Sequence, residues 1–596
     1  MKKVQYKFDN FRYTSGEINS LIVTSYLSHK GFTPSDFLSN YMISPEEDLF
    51  QIATSIACMG IEDVIHYFEI AIPKGESTTN GAVYTPKVIR DRIIDYTFST
   101  WLEKCDNVAE LTCADISCGC GAFLYSLVLK IIDLKRCTYR QACKHVYGID
   151  INPESIERTK ILLALAAYEY GEYFSESDCN LYTMNSLAID DTMPKFDIVV
   201  GNPPYVRAKN IGVESKLLLK QWPVAKDGNP DLYIPFFEIS LYCLKDDGIL
   251  GLITPNTFLT SVNGRALRKH FSQNKLSITI DNFRDEKVFE GKMVYTCITF
   301  VQKIESDYIY YQQVSLSKLS SIAKKTYSQI EYKSLDDHKG WFLSNEDIFH
   351  NISTIESAGP SLGDSYKIRN GIATLANDIF IFRPTSEDDL AYYHEGYKIE
   401  KGICRNIIKP NKLKDESQID CLLEKIIFPY SHGMILLDEK EFISNFPGAY
   451  SYLESHKETL LKRDKGECEY PWYAFGRTQA IEDKGKKLLF PYMADKPHFV
   501  YTDDNEMMIY CGYAIYSESE FELKVLKKIL ESDVFHYYMK HTSKPYSGGF
   551  FSYAKNYVKG FGICDLTEKE KLYLFEESDK SKINAFICKK YGLNLS

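Results

Sequence analysis

The residues best suited to chemistry lie in the stretch Asp197-Ile198-Val199-Val200-Gly201-Asn202-Pro203-Pro204-Tyr205. Its short apolar run, rich in β-branched residues, predicts a buried strand that stops at Gly201. The two prolines that follow remove two backbone donors and fix two φ angles, so the turn beyond the strand is stiff. A stiff turn lets the Asn202 side chain and the Pro203 carbonyl present acceptors in one direction at a fixed spacing. Two converging acceptors suit a planar amine with two N–H groups, and the Tyr205 ring can lie over a flat partner. The chemistry this implies is methyl transfer to the exocyclic amine of a base.

Such a turn needs a scaffold and a cofactor pocket. From Ala114 the pattern becomes short strands alternating with helices, the rhythm of a parallel α/β sheet. Asp115-Ile116-Ser117-Cys118-Gly119-Cys120-Gly121 is a glycine-bearing turn that opens an apolar helix, Phe123 to Ile132. Val146-Tyr147-Gly148-Ile149-Asp150 reads as a strand ending in an acid. A glycine turn lets a ligand approach the backbone, and an acid at the next strand tip accepts from ribose hydroxyls. Together they predict an adenosine-containing cofactor on the same sheet edge as Asn202. Upstream, Tyr84-Thr85-Pro86 reads as a helix start, with Thr85 as N-cap and Pro86 in the first helical position. The polar segment after Tyr205 carries Arg207, Lys209, Lys216 and Lys220; it reads equally as a loop that orders on a phosphate backbone or as a solvated helix face. Gly248 to Pro255, Ser277 to Asn282 and Val294 to Val301 are further strands, the last two forming the antiparallel end of a mixed sheet.

Residues 1–75 read as a helical cap, 76–303 as the chemistry-bearing domain, 304–360 as a connecting segment and 361–596 as a second, α+β domain. In that last part aromatics alternate with Lys409, Lys412, Lys414, Arg463, Lys465 and Arg477, which suits contact with DNA or an ordinary charged surface. A net charge of -11 argues against a protein that coats nucleic acid, although a local basic cleft is compatible with it. Met1 to Asn10 lacks the apolar region of a signal peptide and no apolar run is long enough for a bilayer, so a cytoplasmic protein without a membrane partner is expected. The 16 cysteines are scattered, as reduced thiols would be; Cys118 and Cys120 lack a matching Cys/His pair, and no metal is expected.

Tyr84-Thr85-Pro86, the glycine turn, the acid at 150 and Asn202-Pro203-Pro204-Tyr205, followed by a large trailing domain, occur in one order. In this the chain resembles the TaqI-type adenine-N6 DNA methyltransferases, with the gamma-class order of motifs. The resemblance covers about residues 80–303, and 361–565 more loosely through Gly371-Ile372-Ala373-Thr374, Trp472-Tyr473 and Ser547-Gly548-Gly549-Phe550. It implies a Rossmann-like S-adenosylmethionine-dependent methyltransferase domain with a mostly parallel sheet, plus a C-terminal α+β target-recognition domain that binds double-stranded DNA. It implies that Tyr84, Thr85 and Pro86 lie over the methionine end of S-adenosylmethionine, and that Asp115, Cys118, Gly119 and Gly121 surround that moiety. Asp150 would hold the ribose, Ile151 the apolar side of the cofactor adenine, and Asn185 the adenine amine, where the family usually has Asp. Asn202, Pro203 and Tyr205 would be catalytic, Tyr205 and Phe289 would stack on a flipped target base, and Arg207, Lys209 and Arg477 would contact DNA. The role implied is the modification part of a restriction-modification system, served by a separate cognate endonuclease. Asn-Pro-Pro-Tyr is also shared with enzymes that methylate protein glutamine or guanine in RNA. The other rivals are a restriction enzyme that also methylates and a non-catalytic DNA-binding protein with a relict pocket.

Overall fold

A computed structural model describes residues 13–34, 36–71, 85–105, 107–289, 294–321, 327–344, 346–431, 434–466, 469–546 and 548–595. The chain divides into two compact units, Met1–Asn345 and Glu346–Ser596.

The first unit is built on a nine-stranded sheet of order β3-β2-β1-β4-β5-β7-β6-β8-β9. Its strands are β1 (Cys113–Asp115), β2 (Val146–Asp150), β3 (Asn180–Thr183), β4 (Phe196–Gly201), β5 (Leu244–Pro255), β6 (Leu276–Asn282), β7 (Thr296–Glu305), β8 (Tyr308–Gln313) and β9 (Ser328–Glu331). β3, β2, β1, β4 and β5 run parallel, and β7 enters antiparallel between β5 and β6. Every residue of β1 and β4 is buried, because helices cover both faces, and that is why Ile198, Val199 and Val200 run on without polar alternation. Along β4, Ile198 and Val200 enter one core cluster and Val199 the other, the period-two alternation of a strand.

The sheet corrects one expected boundary. Residues 304–360 are not a connecting segment: β8 pairs with β6 and β9 with β8, so the sheet continues well past residue 303. Short strands at a sheet edge, with polar residues on the exposed side, lack the apolar run that marked the central strands. The first helix after the cap also starts one residue later than expected, at Lys87, with Pro86 as N-cap.

The cap consists of helices Ser15–Lys30, Asp48–Ser55 and Ile61–Ile70. Leu21, Ile22, Val64, Ile65 and Phe68 join the same core cluster as Ile198 and Val200. Helix Pro153–Glu169 receives the cap through polar contacts as well. Arg158, 3% exposed, donates from Nη1 to the Phe68 carbonyl (3.1 Å), from Nε to Asn19 Oδ1 (3.2 Å) and from Nη2 to Ser15 Oγ (3.3 Å). The Tyr26 hydroxyl donates to Glu169 Oε1 at 2.8 Å.

The second unit is α+β. Lys367–Asn370, Tyr513–Tyr516, Lys487–Phe490 and Val500–Thr502 form one four-stranded sheet; Ile381–Phe382, Glu424–Ile427, Cys404–Ile408 and Met508–Ile509 form another. Helices Glu520–Leu530, Asp533–Thr542 and Lys580–Tyr591 follow. Arg463, grouped with DNA-contacting residues on sequence, is buried here. Its guanidinium donates to the carbonyls of Leu460, Thr374, Ala474 and Trp472, so it pins loops inside the unit. No helix of the described residues is long and apolar enough to cross a membrane.

Removing the Arg158 guanidinium leaves buried acceptors unsatisfied. Arg158→Met is therefore expected to lower the unfolding free energy of the first unit by about 2–3 kcal/mol. Urea unfolding measures this as an earlier midpoint, and an unshifted midpoint contradicts the assigned role of the arginine.

Candidate active site

β1 and β4 lie side by side, and the strand order reverses between them, which opens a crevice beyond their C-terminal ends. A cavity of about 560 Å³ fills that position, lined by Thr85, Asp115, Gly119, Asp150, Asn185 and Asn202 among others. These residues come from five separate stretches of the sequence. The volume is within the roughly 300–1,000 Å³ usual for small-molecule sites.

Asp115 ends β1, accepts from the Ser117 backbone N–H at 2.9 Å and is 1% exposed. Burial pushes its carboxyl up to about 7, against the opposing pull of the Ser117 N–H. Gly201 ends β4 directly beside it: a Cβ there would stand 2.7 Å from Asp115 Oδ1, so only glycine fits. The glycine turn is held from both sides. The Gly119 N–H donates to Asp150 Oδ2 (2.9 Å), and Thr159 Oγ1 donates to the Gly119 carbonyl (2.9 Å). Gly119 and Gly121 have φ of +53° and +87°, the left-handed region, and at Gly121 a Cβ would press on Thr159 at 2.9 Å. At Gly119 a Cβ would meet no protein atom within 4 Å, which leaves bare backbone on the cavity wall.

Asp150 also accepts from the Asn152 N–H, at 2.9 Å through Oδ1, so both carboxylate oxygens are oriented by backbone and keep a second lone pair each. Burial raises its pKa, opposed by the N–H groups of Asn152 and Gly119. Ile151 beside it is 54% exposed, an apolar side chain left open on the cavity wall. Asn185 spends Oδ1 on the Leu187 N–H (3.1 Å) and Nδ2 on Ser215 Oγ (3.1 Å). Its oxygen thus caps a turn and reaches a ligand only through its remaining lone pair.

The Asn202 carboxamide is oriented by Thr85, whose Oγ1 accepts from Nδ2 at 3.0 Å. This is where the Thr85 hydroxyl goes in place of capping the helix. Thr85 is held in turn by Arg90, whose Nη1 donates to the Thr85 carbonyl at 2.9 Å. Nδ2 is the donor end of the amide, so Oδ1 is its acceptor end. Pro203 is buried, and Pro204 reaches the cavity wall. The Tyr205 hydroxyl donates to the Ile253 carbonyl at 3.1 Å, and its ring meets Tyr233 edge-on at 6.3 Å between centroids.

Phe289 departs from expectation. It is 3% exposed, belongs to the core and meets the Tyr205 ring at 6.1 Å and 67°. A base between two rings needs parallel faces, and this pair is edge-to-face. Tyr84 lies outside the described residues. Arg207 and Lys209 are exposed, in a segment whose continuation, residues 210–215, roofs the cavity. Arg477, in the second unit, is 51% exposed and forms a bidentate ion pair with Asp464 (2.8 and 3.0 Å). The second unit also carries a shallow cavity of about 510 Å³ with the carboxamides of Asn370, Asn377, Asn411 and Gln479 on its wall. Among the described residues no cluster of three or more His, Cys, Asp or Glu could hold a metal ion.

Glu69, at the end of helix Ile61–Ile70, also lines the main cavity. Sequence reasoning left it in a featureless cap. The one signal was a carboxylate directly after the buried pair Tyr67-Phe68, in the last turn of an amphipathic helix.

The sheet order and the switch-point cavity are the arrangement in which open α/β sheets bind ligands, and Asn202 stands on its wall. Residues 144–289 match the profile of the Eco57I restriction-modification methylase family. The chain is 27% identical over 516 residues to the Type II restriction enzyme and methyltransferase RM.Eco57I of Escherichia coli, covering 73% of this chain and 51% of that protein. It thus spans about half the length of that relative. It is 27% identical over 568 residues to the Type II methyltransferase M.BstVI of Geobacillus stearothermophilus, covering 86% of this chain and 96% of the other. Among solved structures, the Type IIL restriction-modification enzyme MmeI in complex with DNA has the same fold (TM-score 0.64, 15% identity, 97% of this chain and 88% of that one). The nuclease-deleted Type ISP enzyme LlaGI with a DNA substrate mimic aligns at a TM-score of 0.56 and 11% identity, over 94% and 53% of the two chains. The chain is a homologue of Type II methyltransferases, and the methyltransferase matches imply S-adenosylmethionine as cofactor.

The residues present fit that group. It is a cation with an adenosine end, and the cavity offers bare glycine backbone, an open apolar side chain at Ile151 and carboxylates at Asp115, Asp150 and Glu69. A bound cation favours the ionised carboxylates and lowers their pKa values, so protons leave as the cofactor enters. The sign is fixed by Asp115: its carboxyl, at about 7 in the free protein, is largely protonated at more acidic pH. Calorimetric titration at about pH 6.5 is expected to show a binding heat that varies with the ionisation enthalpy of the buffer. Asp115→Asn should reduce that dependence, and a buffer-independent heat in the parent protein contradicts it.

Proposed function

We propose that this chain is a site-specific DNA methyltransferase that transfers a methyl group to N6 of a flipped-out adenine in duplex DNA. The observation that carries the reading is the Asn202 carboxamide, fixed by Thr85 at the rim of the cavity and followed by Pro203, Pro204 and Tyr205. When bound, S-adenosylmethionine supplies an electrophilic methyl group on its sulfonium. The chain's residues do the positioning. Asn202 Oδ1 and the Pro203 carbonyl accept the two amine hydrogens, which favours a pyramidal nitrogen with its lone pair free. The same preorganised acceptors offset the positive charge that develops on that nitrogen. No side-chain general base is needed.

The target atom is out of reach inside a duplex, so the base must leave the stack at a cost of a few kcal/mol. Stacking on Tyr205, at about 1–3 kcal/mol, is of the size to offset it. Phe289 would join only after turning from its edge-on contact with Tyr205. The likeness to MmeI, an enzyme solved in complex with DNA, supports duplex DNA as substrate. The second unit is read as the target-recognition domain. Carboxamides such as those on its cavity wall suit adenine edges, and exposed Arg207, Lys209 and Arg477 suit phosphates. The match over 96% of M.BstVI, named as a methyltransferase alone, supports a modification enzyme working beside a separate cognate endonuclease. The TaqI-type, gamma-class assignment and the cytoplasmic location belong to the same proposal.

Asn202→Ala is expected to lower tritium transfer from labelled S-adenosylmethionine to duplex DNA by about 100-fold or more, with DNA affinity changed less than about threefold. Near-normal transfer in that variant defeats the reading. In Tyr205→Ala the fluorescence of 2-aminopurine placed at the target position should rise less on binding than in the parent. An equal rise removes Tyr205 from the stacking role.

A further inference from the structure

Helix Ile61–Ile70 buries Ile61, Val64, Ile65 and Phe68 at helical spacing, and Glu69 follows the last of them. Arg158 fixes this end of the helix through the Phe68 carbonyl at 3.1 Å. The Glu69 side chain faces the main cavity near Thr85 and Cys120. Local structure does not account for a carboxylate here. It stands in the last turn, where the helix dipole disfavours negative charge. The cation that acts on it is Arg90, and that guanidinium has other hydrogen-bond partners. Arg90 Nη2 donates to both Glu62 oxygens (2.6 and 2.7 Å), Nη1 to the Thr85 carbonyl (2.9 Å) and Nε to Ser126 Oγ (3.4 Å). Among the described residues no hydrogen bond or ion pair holds the Glu69 carboxylate, and burial raises its pKa to about 7. A carboxyl group with no hydrogen-bonded partner among the described residues is therefore kept on the wall of the cavity that the cofactor would occupy.

The position selects the part of the occupant it meets. Asp150, Ile151 and Asn185 form the end that suits ribose and adenine. Glu69 interacts with Cys120 of the glycine turn, the end where the amino-acid portion would lie. We infer that Glu69 binds the α-ammonium group of the methionine moiety of S-adenosylmethionine. The inference rests on the cofactor reading above and deepens it. The N-terminal helices then complete the cofactor site as well as cover the sheet.

Two ligands separate this role from a structural one. S-adenosylhomocysteine carries the amino-acid end; 5′-methylthioadenosine has the same nucleoside and thioether without it. Titration calorimetry on the full chain is expected to show Glu69→Gln binding S-adenosylhomocysteine about 10- to 100-fold more weakly. Binding of 5′-methylthioadenosine should change less than about threefold, which also shows that the variant is folded. Unchanged affinity for S-adenosylhomocysteine overturns the assignment, as does an equal loss for both ligands. A parent chain that binds neither ligand refutes the cofactor reading itself, before any variant is made.

Discussion

The Asp115 carboxylate and the backbone of Gly201 share a small volume where two neighbouring parallel strands end. A single added carbon at Gly201 would stand 2.7 Å from Asp115 Oδ1. The two strands are paired in register, Cys113 against Ile198 and Ala114 against Val199, which brings the two groups together. That contact sets the distance between the cofactor side of the cavity and the Asn202 turn. The prolines then carry the same rigidity outward, and Thr85 fixes the amide rotation. Positioning, the main contribution asked of such a site, thus follows from the packing of the sheet.

Charge is the second constraint. Asp115, Asp150 and Glu69 are all pushed toward their neutral forms by burial, and together they face one cavity. A fold keeps such groups at a cost to its own stability. The cost is offset when a cation enters, which ties cofactor affinity to pH and to the N-terminal helices. The cap is held to the sheet side by Arg158 and by Glu169, so the third acid is placed by tertiary contacts on a helix outside the sheet.

What was legible in the sequence was what chemistry ties to neighbouring residues. Asn202 to Tyr205, the turn at Gly119 and Gly121, and Asp150 are recognised by spacing along the chain, and the cavity gathers residues from each of these stretches. What was not legible depended on distant packing. The last strands, β8 and β9, are short, and join the sheet only because β6 offers an edge to β8 and β8 one to β9. Arg463 reads as a surface base until four carbonyls are seen around it. Phe289 was expected beside Tyr205 through the resemblance, yet its ring went to the core, where it meets Tyr205 edge-on. Glu69 was hidden for the same reason: nothing in its own helix says which cavity its last turn will face.

The central claim is that the Asn202 turn methylates adenine at one sequence in duplex DNA. Single-molecule sequencing of the genome of a methylation-free host expressing this chain tests it most directly. N6-methyladenine is expected throughout one short motif, with no other base modified. An unmodified genome, or methyl groups on a different base, would contradict it.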